Sequence, residues 1–145
     1  MHGLRTERKG SELPVIDWGE ELEVGHAEID ADHRAMVAMV KRVHAAGERG
    51  DHAEAMTALR ELGSFTRDHF AREEALMDSI RYEMAARHRK EHQSLFDEIG
   101  AQIEEFHAGR SSVAAIVTFI RVWLLGHVAA SDRPLGRALA RGVRR

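Results

Sequence analysis

Apolar residues recur at steps of three and four positions through four stretches of the chain, which is the pattern of amphipathic helices. The stretches run from residues 27 to 46, 51 to 79, 83 to 107 and 112 to 132. Gly47 and Gly50 follow the first stretch. Asp51 and Glu54 then match the capping box that opens a helix. No stretch shows the two-residue alternation of a β-strand. Because short connections join long helices, the pattern predicts an all-α fold, an up-down-up-down four-helix bundle.

Two segments lie outside the predicted bundle, which covers residues 27–132. Residues 1–26 contain Pro14 and several glycines, which predicts an irregular N-terminal arm, with Trp18 packing it over the bundle. Residues 133–145 form an Arg-rich C-terminal tail. Its arginines at every fourth position are Arg133, Arg137, Arg141 and Arg145. We interpret the tail as a frayed, solvated helix end; the alternative is an element that docks a protein partner.

A proline near the end of the fourth helix bears on its course. Pro134 follows Asp132 by two residues. A proline inside a helix clashes with the carbonyl four residues before it, here that of Ala130, and biases the residue before it away from helix. The sequence therefore predicts that the fourth helix kinks or ends at Asp132.

Composition narrows the class of protein. A chain of 145 residues fits one domain, and a formal charge of -3 does not favour nucleic acid as a partner. The absence of cysteine excludes disulfides and thiolate metal ligands. The charged N-terminus lacks the apolar core of a signal peptide. The longest apolar-rich stretch, residues 113–130, is interrupted by Thr118, Arg121 and His127. We therefore expect a cytoplasmic protein without membrane insertion.

Histidine is unusually frequent, with ten residues in the chain, and five of the ten lie on the apolar faces of predicted helices. With two carboxylates they form a set of seven candidate metal ligands: His33, His69, Glu73, His88, His92, His127 and Asp132. Residues four apart share one face of a helix, so His69 and Glu73 can chelate one ion, as can His88 and His92. His127 and Asp132 are five apart, about 140° round an α-helix. We expect that these two do not meet at one point and that Asp132 reaches sideways to bridge a second ion.

The size of this set indicates two metal ions. Seven nitrogen and oxygen ligands exceed the needs of one ion and suit two bridged ions. Buried histidines without strong partners are costly, which disfavours the alternative that all five are ordinary core residues. Imidazole and carboxylate suit Fe, Mn, Zn or Cu. Two bridging carboxylates with an unequal number of histidines on each ion suit a redox-active di-iron pair best.

With these motifs in place, the chain resembles the hemerythrins, in particular the bacterial ones, from Trp18 to Asp132. The residues that carry the resemblance are Val24-Gly25, Ile29-Asp30-x-x-His33, His69-Phe70-x-x-Glu73-Glu74, Leu76-Met77, Tyr82, His88-x-x-x-His92, Phe96, Trp123-Leu124-x-x-His127 and Asp132.

The resemblance implies reversible binding of O2 at two non-haem Fe ions. Glu73 and Asp132 would bridge the irons together with an oxo or hydroxo group. One iron would be held by His88, His92 and His127. The other would be held by His33 and His69, which keeps one coordination position open for O2.

The resemblance also suggests a pocket and a role. Leu124 and Val128 would adjoin the O2 pocket, although ordinary core packing explains both residues equally well. The role would be O2 storage, delivery, scavenging or sensing. The same centre could instead serve an enzyme, namely a peroxidase, an oxidase or a nitric oxide reductase.

Three competing motifs are weaker. The sequence His88-Arg-Lys-Glu91-His92 matches the H-x-x-E-H of some zinc proteases. Glu91 lies about 100° from His92 on a helix, however, and we expect it to face solvent. Glu23-x-x-His26 and Glu104-x-x-His107 match the E-x-x-H of ferritin-like di-iron proteins. Their positions near the ends of elements favour surface or capping roles.

Overall fold

Four long helices pack into a closed ring in which each helix contacts the next and the fourth contacts the first. The computed structural model describes residues 19–143. Its elements are a 3-10 turn (Glu20–Leu22), α1 (Ala27–Glu48), α2 (His52–Ser79), α3 (Ala85–His107), α4 (Val113–His127), a π-helical segment (Val128–Asp132) and α5 (Arg133–Val143). The described residues contain no strand. The predicted all-α four-helix bundle is therefore confirmed.

Side chains cap the starts of three helices, at Asp51 as the capping box predicts. The Asp51 side chain accepts a hydrogen bond from the Glu54 backbone N–H at 3.0 Å, and Ser112 accepts one from the Ala115 N–H at 3.1 Å. These side chains satisfy N–H groups that have no partner within the helix. His26 caps α1 in the same way, through Nδ1 and the Ile29 N–H at 3.4 Å. The capping role expected for His26 is thus observed.

The short turns at one end of the bundle depend on glycine. Gly50 and Gly109 have φ angles of 71° and 82°. This left-handed region is open to glycine at little cost, whereas a side chain there is strained. The two glycines let the chain reverse within a few residues after α1 and after α3. Consecutive helices are thereby held as antiparallel neighbours.

The described part of the N-terminal arm is anchored to the bundle. Leu22 is fully buried and Val24 is nearly so. The Asp30 carboxylate accepts hydrogen bonds from the backbone N–H groups of Val24 and Gly25, at 2.8 and 3.2 Å. A Cβ atom on Gly136 would lie 2.3 Å from the Val24 carbonyl oxygen, so only glycine permits α5 to approach the arm this closely. Trp18 and Pro14, to which the sequence analysis gave roles, lie outside the described residues.

The fourth helix continues past Asp132, and its continuation packs against the bundle. It widens into one π-helical turn, in which the Arg133 N–H donates to the Val128 carbonyl, and continues as α5. The wider turn fits Pro134, which lacks an N–H and clashes with the fourth carbonyl before it in a regular α-helix. The helix therefore does not end at Asp132, and the disturbance predicted from Pro134 includes this local change of helix type.

The C-terminal tail differs from the expected frayed and solvated helix end. Residues 133–143 form a helix, and Leu135 and Leu139 are buried against the bundle. These leucines are four residues apart and share one face of α5, so the helix is amphipathic. Arg137 and Arg141 of the arginine repeat lie on the exposed face of α5, whereas the buried leucines on the opposite face fix the helix against the bundle. Arg145 lies outside the described residues.

One described helix, Val113–Gly142, is long and apolar enough to cross a membrane, judged by length and composition only. This is weak evidence, since the core helix of a soluble protein passes the same test. In this bundle the helix carries buried His127 and Asp132 and packs against α1 and α3. Its length exceeds the sequence expectation because it continues through Pro134.

Candidate metal centre

All seven candidate ligands meet in the interior of the bundle. His33 comes from α1, the pair His69 and Glu73 from α2, and the pair His88 and His92 from α3. The fourth helix supplies His127 and Asp132. Every one is buried, the most exposed being His127 at 7%. Helical spacing places each pair on one inward face, and the antiparallel packing brings the four faces to the same depth.

The seven side chains fall into two overlapping groups that share both carboxylates. One group comprises Glu73, His88, His92, His127 and Asp132; the other comprises His33, His69, Glu73 and Asp132. Within each group, one nitrogen or oxygen atom of every residue lies within 4.8 Å of the corresponding atoms of the others. The geometry therefore provides two adjacent positions that could each hold a metal ion.

The two oxygens of Glu73 point toward different groups. Oε1 lies 3.1 Å from Nε2 of both His88 and His92, whereas Oε2 lies 3.0 Å from Nε2 of His69. The second Oε2 neighbour is His33 Nε2, at 3.9 Å. A carboxylate placed this way can bind one ion through each oxygen.

Asp132 divides its oxygens in the same manner. Oδ1 lies 3.0 Å from His88 Nε2 and 3.1 Å from His127 Nε2. Oδ2 lies 3.2 Å from His33 Nε2. The arrangement is asymmetric, because three imidazoles face one pair of carboxylate oxygens and two imidazoles face the other pair.

The π-helical turn brings His127 and Asp132 together. On an α-helix these residues are about 140° apart, and from the sequence we expect that they do not meet at one point. In a π-helix the hydrogen bond runs from residue i to i+5, so residues five apart are nearly aligned. The 3.1 Å contact between His127 Nε2 and Asp132 Oδ1 follows from this alignment and corrects the expectation. The widened turn thus aims a carboxylate into the centre.

Most of the nitrogen and oxygen atoms that face the centre of the cluster are placed to bind a cation rather than to form hydrogen bonds with one another. Among the described residues, six buried side-chain atoms have no hydrogen-bond partner, and all belong to this cluster: His33 Nε2, Glu73 Oε2, His92 Nε2, His127 Nε2 and both carboxylate oxygens of Asp132. Buried polar atoms are ordinarily satisfied, and leaving them unpaired is costly. Imidazole nitrogen and carboxylate oxygen suit Fe, Mn, Zn or Cu. Coordination of metal would satisfy these atoms together.

Three further carboxylates hold the histidines from outside the cluster. Asp32 Oδ2 accepts from His69 Nδ1, Glu74 Oε2 from His92 Nδ1, and Glu91 Oε1 from His127 Nδ1, each at 2.9 Å. A proton held on Nδ1 leaves Nε2 free to bind metal and fixes the plane of the ring. His33 uses the backbone instead, with Nδ1 3.3 Å from the Leu22 carbonyl oxygen.

The outer carboxylates are themselves held. Arg72 Nε donates to Asp32 at 2.9 Å, and Arg89 Nε lies 3.6 Å from Glu74. Ser131, within the π-helical turn, donates its hydroxyl to Glu91 Oε1 at 2.5 Å. From the sequence Glu91 was expected to face solvent; instead its carboxylate accepts hydrogen bonds from His127 and Ser131. It lies across the interface between α3 and the π-helical turn.

The roles of Asp32, Glu74 and Glu91 were not predicted from the sequence, although a signal for them is present. Each is an acidic residue directly beside a candidate ligand in the sequence, namely His33, Glu73 and His92. A side chain one position along is about 100° round the helix, so it points to a neighbouring helix rather than into the centre. Adjacent acidic residues are therefore candidates to support a histidine on another helix.

Electrostatics in the centre reflect burial and mutual contacts. Burial and the nearby Asp132 raise the pKa of Glu73, but three adjoining imidazoles outweigh them and hold it well below its usual range. Burial likewise raises the pKa of Asp132, and His127, His33 and His88 reverse the effect. Burial lowers the pKa of His88, but the carboxylates of Asp132 and Glu73 outweigh it and raise the pKa to about 9. Both carboxylates are thus ionised at neutral pH, as metal ligands must be.

Apolar and aromatic side chains enclose the cluster. Phe70 stacks on the His92 ring at 3.6 Å between centroids, and Trp123 stacks on the His127 ring at 4.4 Å. Leu124 and Val128 are both buried. Leu124 also lines an apolar cavity of about 60 Å³ in the bundle, whereas Val128 does not. Their placement beside an O2 pocket stays a prediction.

The remaining described histidines lie apart from the cluster. His44, His52 and Phe106 line a groove at the end of the bundle where α1 passes into α2. There the His52 ring stacks on Phe106 at 4.5 Å and lies 6.5 Å from the His107 ring. Neither His26 nor His107 joins a group able to hold metal among the described residues. The two E-x-x-H motifs therefore do not form di-iron sites.

The fold and the centre together define a class: helical-bundle proteins that bind metal through histidines and carboxylates on all four helices. Residues 24–139 match the family model described as the hemerythrin HHE cation binding domain. The chain belongs to the hemerythrin family.

Individual relatives agree with this assignment. A bacteriohemerythrin from Ralstonia nicotianae is 32% identical over 133 residues, covering 88% of this chain and 91% of the relative. A bacteriohemerythrin from Pseudomonas aeruginosa is 29% identical over 115 residues, covering 79% and 75%. A myohemerythrin from Riftia pachyptila is 30% identical over 115 residues, covering 79% and 86%. Membership implies binding of O2 at non-haem iron.

Solved structures are similar as well. A crystal structure of wild-type hemerythrin superimposes with a TM-score of 0.79 and 28% identity, covering 86% of this chain and 98% of the other. A single-substitution mutant of hemerythrin superimposes with a TM-score of 0.81 and 26% identity. The family and the bundle fold expected from the sequence are thus both confirmed.

Proposed function

We propose that this chain binds O2 reversibly at a carboxylate-bridged di-iron centre. One observation carries the proposal: Glu73 and Asp132 each present one oxygen to the group with three histidines and the other oxygen to the group with two. Carboxylates placed in this way would hold two ions side by side. The donor set contains nitrogen and oxygen only, which suits iron.

The unequal histidine count indicates where O2 would bind. His88, His92 and His127, with one oxygen from each of Glu73 and Asp132, would hold one ion. His33 and His69, with the other oxygen of each carboxylate, would hold the second ion with one imidazole fewer, and the position left by the missing imidazole would accept O2. Ferrous iron bound here would supply the electrons that O2 takes up on binding.

The residues around the metal centre favour reversible O2 binding over an enzymatic reaction with O2. Phe70 and Trp123 stack on the rings of His92 and His127, and the seven candidate ligands are at most 7% exposed, so little water reaches the centre. The nearby acids already accept hydrogen bonds: Asp32, Glu74 and Glu91 from histidines, and Asp30 from the arm. Efficient turnover needs a general acid placed to deliver protons. These carboxylates are instead committed to holding the histidines and the arm, so we favour the binding protein over the peroxidase, oxidase or nitric oxide reductase.

An anaerobic titration tests this function. Iron-loaded, reduced protein is titrated with O2 while its visible absorption is recorded, and O2 is then removed under argon. Reversible binding predicts a band that appears with O2 and disappears on degassing over several cycles. A band that decays to a stable oxidised product would instead indicate an enzyme. If no band forms although two irons are bound, the open position is blocked and the proposal fails.

A further inference from the structure

A groove on the surface of the bundle collects basic side chains that the metal centre does not use. It lies between the turn joining α2 to α3 and the exposed face of α5, and has a volume of about 730 Å³. Arg81 lines it from the turn, and Arg137 and Arg141 line it from α5. All three are exposed. We call this feature the basic groove.

The charges of the basic groove are not neutralised within the described part of the protein. Arg81, Arg137 and Arg141 form no ion pair with a described residue. By contrast, Arg42, Arg72, Arg89 and Arg110 each have a carboxylate partner. Glu83 is the one acidic side chain that lines the groove. Clustered guanidinium groups without partners are typical of surfaces that receive carboxylates or phosphates.

The backbone at Arg81 indicates that its side chain has a use. Its φ angle is 50°, in the left-handed region, where α2 ends and the chain turns. Glycine is the residue that favours this conformation at the end of a helix. An arginine here therefore costs stability that glycine would not. The cost is understandable if the guanidinium group contributes to the groove.

Charge is strongly segregated in the sequence. Residues 133–145 contain five arginines and no acidic residue in a chain of formal charge -3, so residues 1–132 carry -8. The basic groove is thus a local positive surface on a negative protein. A long polyanion such as a nucleic acid would be repelled beyond the groove, whereas a short acidic segment would not.

The apolar face of α5 is not available for membranes. Basic amphipathic helices bind lipid by inserting apolar side chains. Here Leu135 and Leu139, which form the apolar face, are buried against the bundle. The groove nevertheless offers local apolar contact through Ile80, Pro134 and Met84, the last of which is 42% exposed. A peptide that combines carboxylates with a few apolar side chains fits this surface.

The basic groove adjoins the metal centre. A cavity of about 170 Å³ shares Tyr82, Met84 and Pro134 with the groove and is also lined by His88. Burial raises the pKa of Tyr82, and the positive charges of Arg137 and Arg141 act in the opposite direction, which places all three in one electrostatic environment. A segment bound in the groove would therefore lie next to a cavity that is lined by a candidate metal ligand.

From these observations we propose that the basic groove binds an acidic segment of a partner protein. The carboxylates of the segment would pair with Arg81, Arg137 and Arg141, and its apolar side chains would contact Met84 and Pro134. Binding of this kind does not depend on O2 or on the identity of the metal.

Peptide binding tests the proposal. The probes are a fluorescein-labelled peptide that alternates pairs of glutamates with single leucines, and a matched peptide with glutamine in place of each glutamate. Fluorescence anisotropy with the iron-loaded protein measures affinity at several salt concentrations. We expect the glutamate peptide to bind more tightly than the glutamine peptide, with affinity falling as salt rises.

Two variants and a control locate the site. The double variant R137E/R141E should weaken binding about tenfold or more, because like charges then face each other. R60E/K90E makes the same change of net charge at exposed positions outside the groove and should bind like the wild type. R81G should weaken binding while leaving Tm unchanged or higher, which separates a binding role from a structural one.

Other results would overturn the proposal. Equal losses in R137E/R141E and R60E/K90E would show that only net charge matters. Equal affinity for the glutamate and glutamine peptides would remove the role of carboxylates. Tighter binding to vesicles containing anionic lipid, or to a single-stranded oligonucleotide, would replace the protein partner by a membrane or a nucleic acid.

Discussion

Removing the Glu91 carboxylate should weaken the metal centre, although Glu91 is not itself a candidate ligand. Glu91 Oε1 accepts hydrogen bonds from His127 Nδ1 at 2.9 Å and from the Ser131 hydroxyl at 2.5 Å. It therefore holds a ligand imidazole and the π-helical turn that carries Asp132. In Glu91→Ala the His127 ring can rotate, and the turn loses a contact to α3.

The expected loss of metal affinity in Glu91→Ala follows from the geometry of its contacts. Loss of a group that orients a metal-bound histidine costs about 10–100-fold in metal affinity. The Glu91 side chain is 29% exposed, so water partly replaces it, and we expect the lower part of this range, about tenfold. Ser131→Ala removes only the bond from the hydroxyl and should cost a few-fold. Glu91→Gln keeps an acceptor oxygen and should also cost less than Glu91→Ala.

Competition with a chromophoric chelator measures these affinities for ferrous iron. Glu98→Ala is the matched control, since Glu98 is an exposed residue on the same helix, two turns further along. Circular dichroism of each variant before metal addition establishes that the bundle is folded. If Glu91→Ala binds iron as tightly as Glu98→Ala, then His127 is not oriented by Glu91 and the reasoning is refuted.

Three further predictions concern protons, ligands and packing. His88 has a pKa raised from 6.5 to about 9, so without metal its charged form stabilises the fold fully below pH 6.5, and this stabilisation is lost as pH rises toward 9. Metal competes with that proton, so the Tm of the metal-loaded protein should rise relative to that of the metal-free protein as pH increases from 6.5 to 9. The loaded protein should lose its metal below about pH 5. A constant difference in Tm between the two forms across this range would contradict the assignment. His69→Ala should abolish most O2 binding and remove one iron, whereas His52→Ala, which changes a ring stacked on Phe106, should do neither; the opposite ranking in O2 titrations would overturn the ligand set. Val128→Ala removes two methyl groups from a fully buried side chain that follows His127 in the sequence, and should speed autoxidation by admitting water; an unchanged rate of spectral decay would argue against this role.

The helices and the candidate ligands could be predicted because both follow from α-helical periodicity. Residues four apart share a face, so His69 with Glu73 and His88 with His92 are visible in the sequence as pairs. Helices of similar length joined by short turns then bring the pairs to one depth. The same periodicity concealed the contact of His127 with Asp132, because a change to π-helical geometry alters the angle between residues five apart. Pro134 predicted that the helix is irregular near Asp132, but not that it takes π-helical geometry.

The outer carboxylates and the packing of α5 depend on contacts between helices. An acidic residue beside a ligand marks a candidate, but the pattern of one helix does not identify its partner on another. Glu91 reaches His127 across the interface of α3 with the fourth helix, and its spacing from His92 only says that it points elsewhere. In α5 the arginine repeat is conspicuous, whereas Leu135 and Leu139 are only two apolar positions. Their burial follows from Gly136, which lets the helix lie against the Val24 backbone.

The most direct test of the central claim is an anomalous difference map from crystals of the iron-loaded protein, with data collected at the iron absorption edge. We predict two adjacent peaks inside the bundle, both within bonding distance of Glu73 and Asp132. One peak should contact His88, His92 and His127, and the other should contact His33 and His69. A single peak, or peaks not bridged by the two carboxylates, would contradict the di-iron centre proposed here.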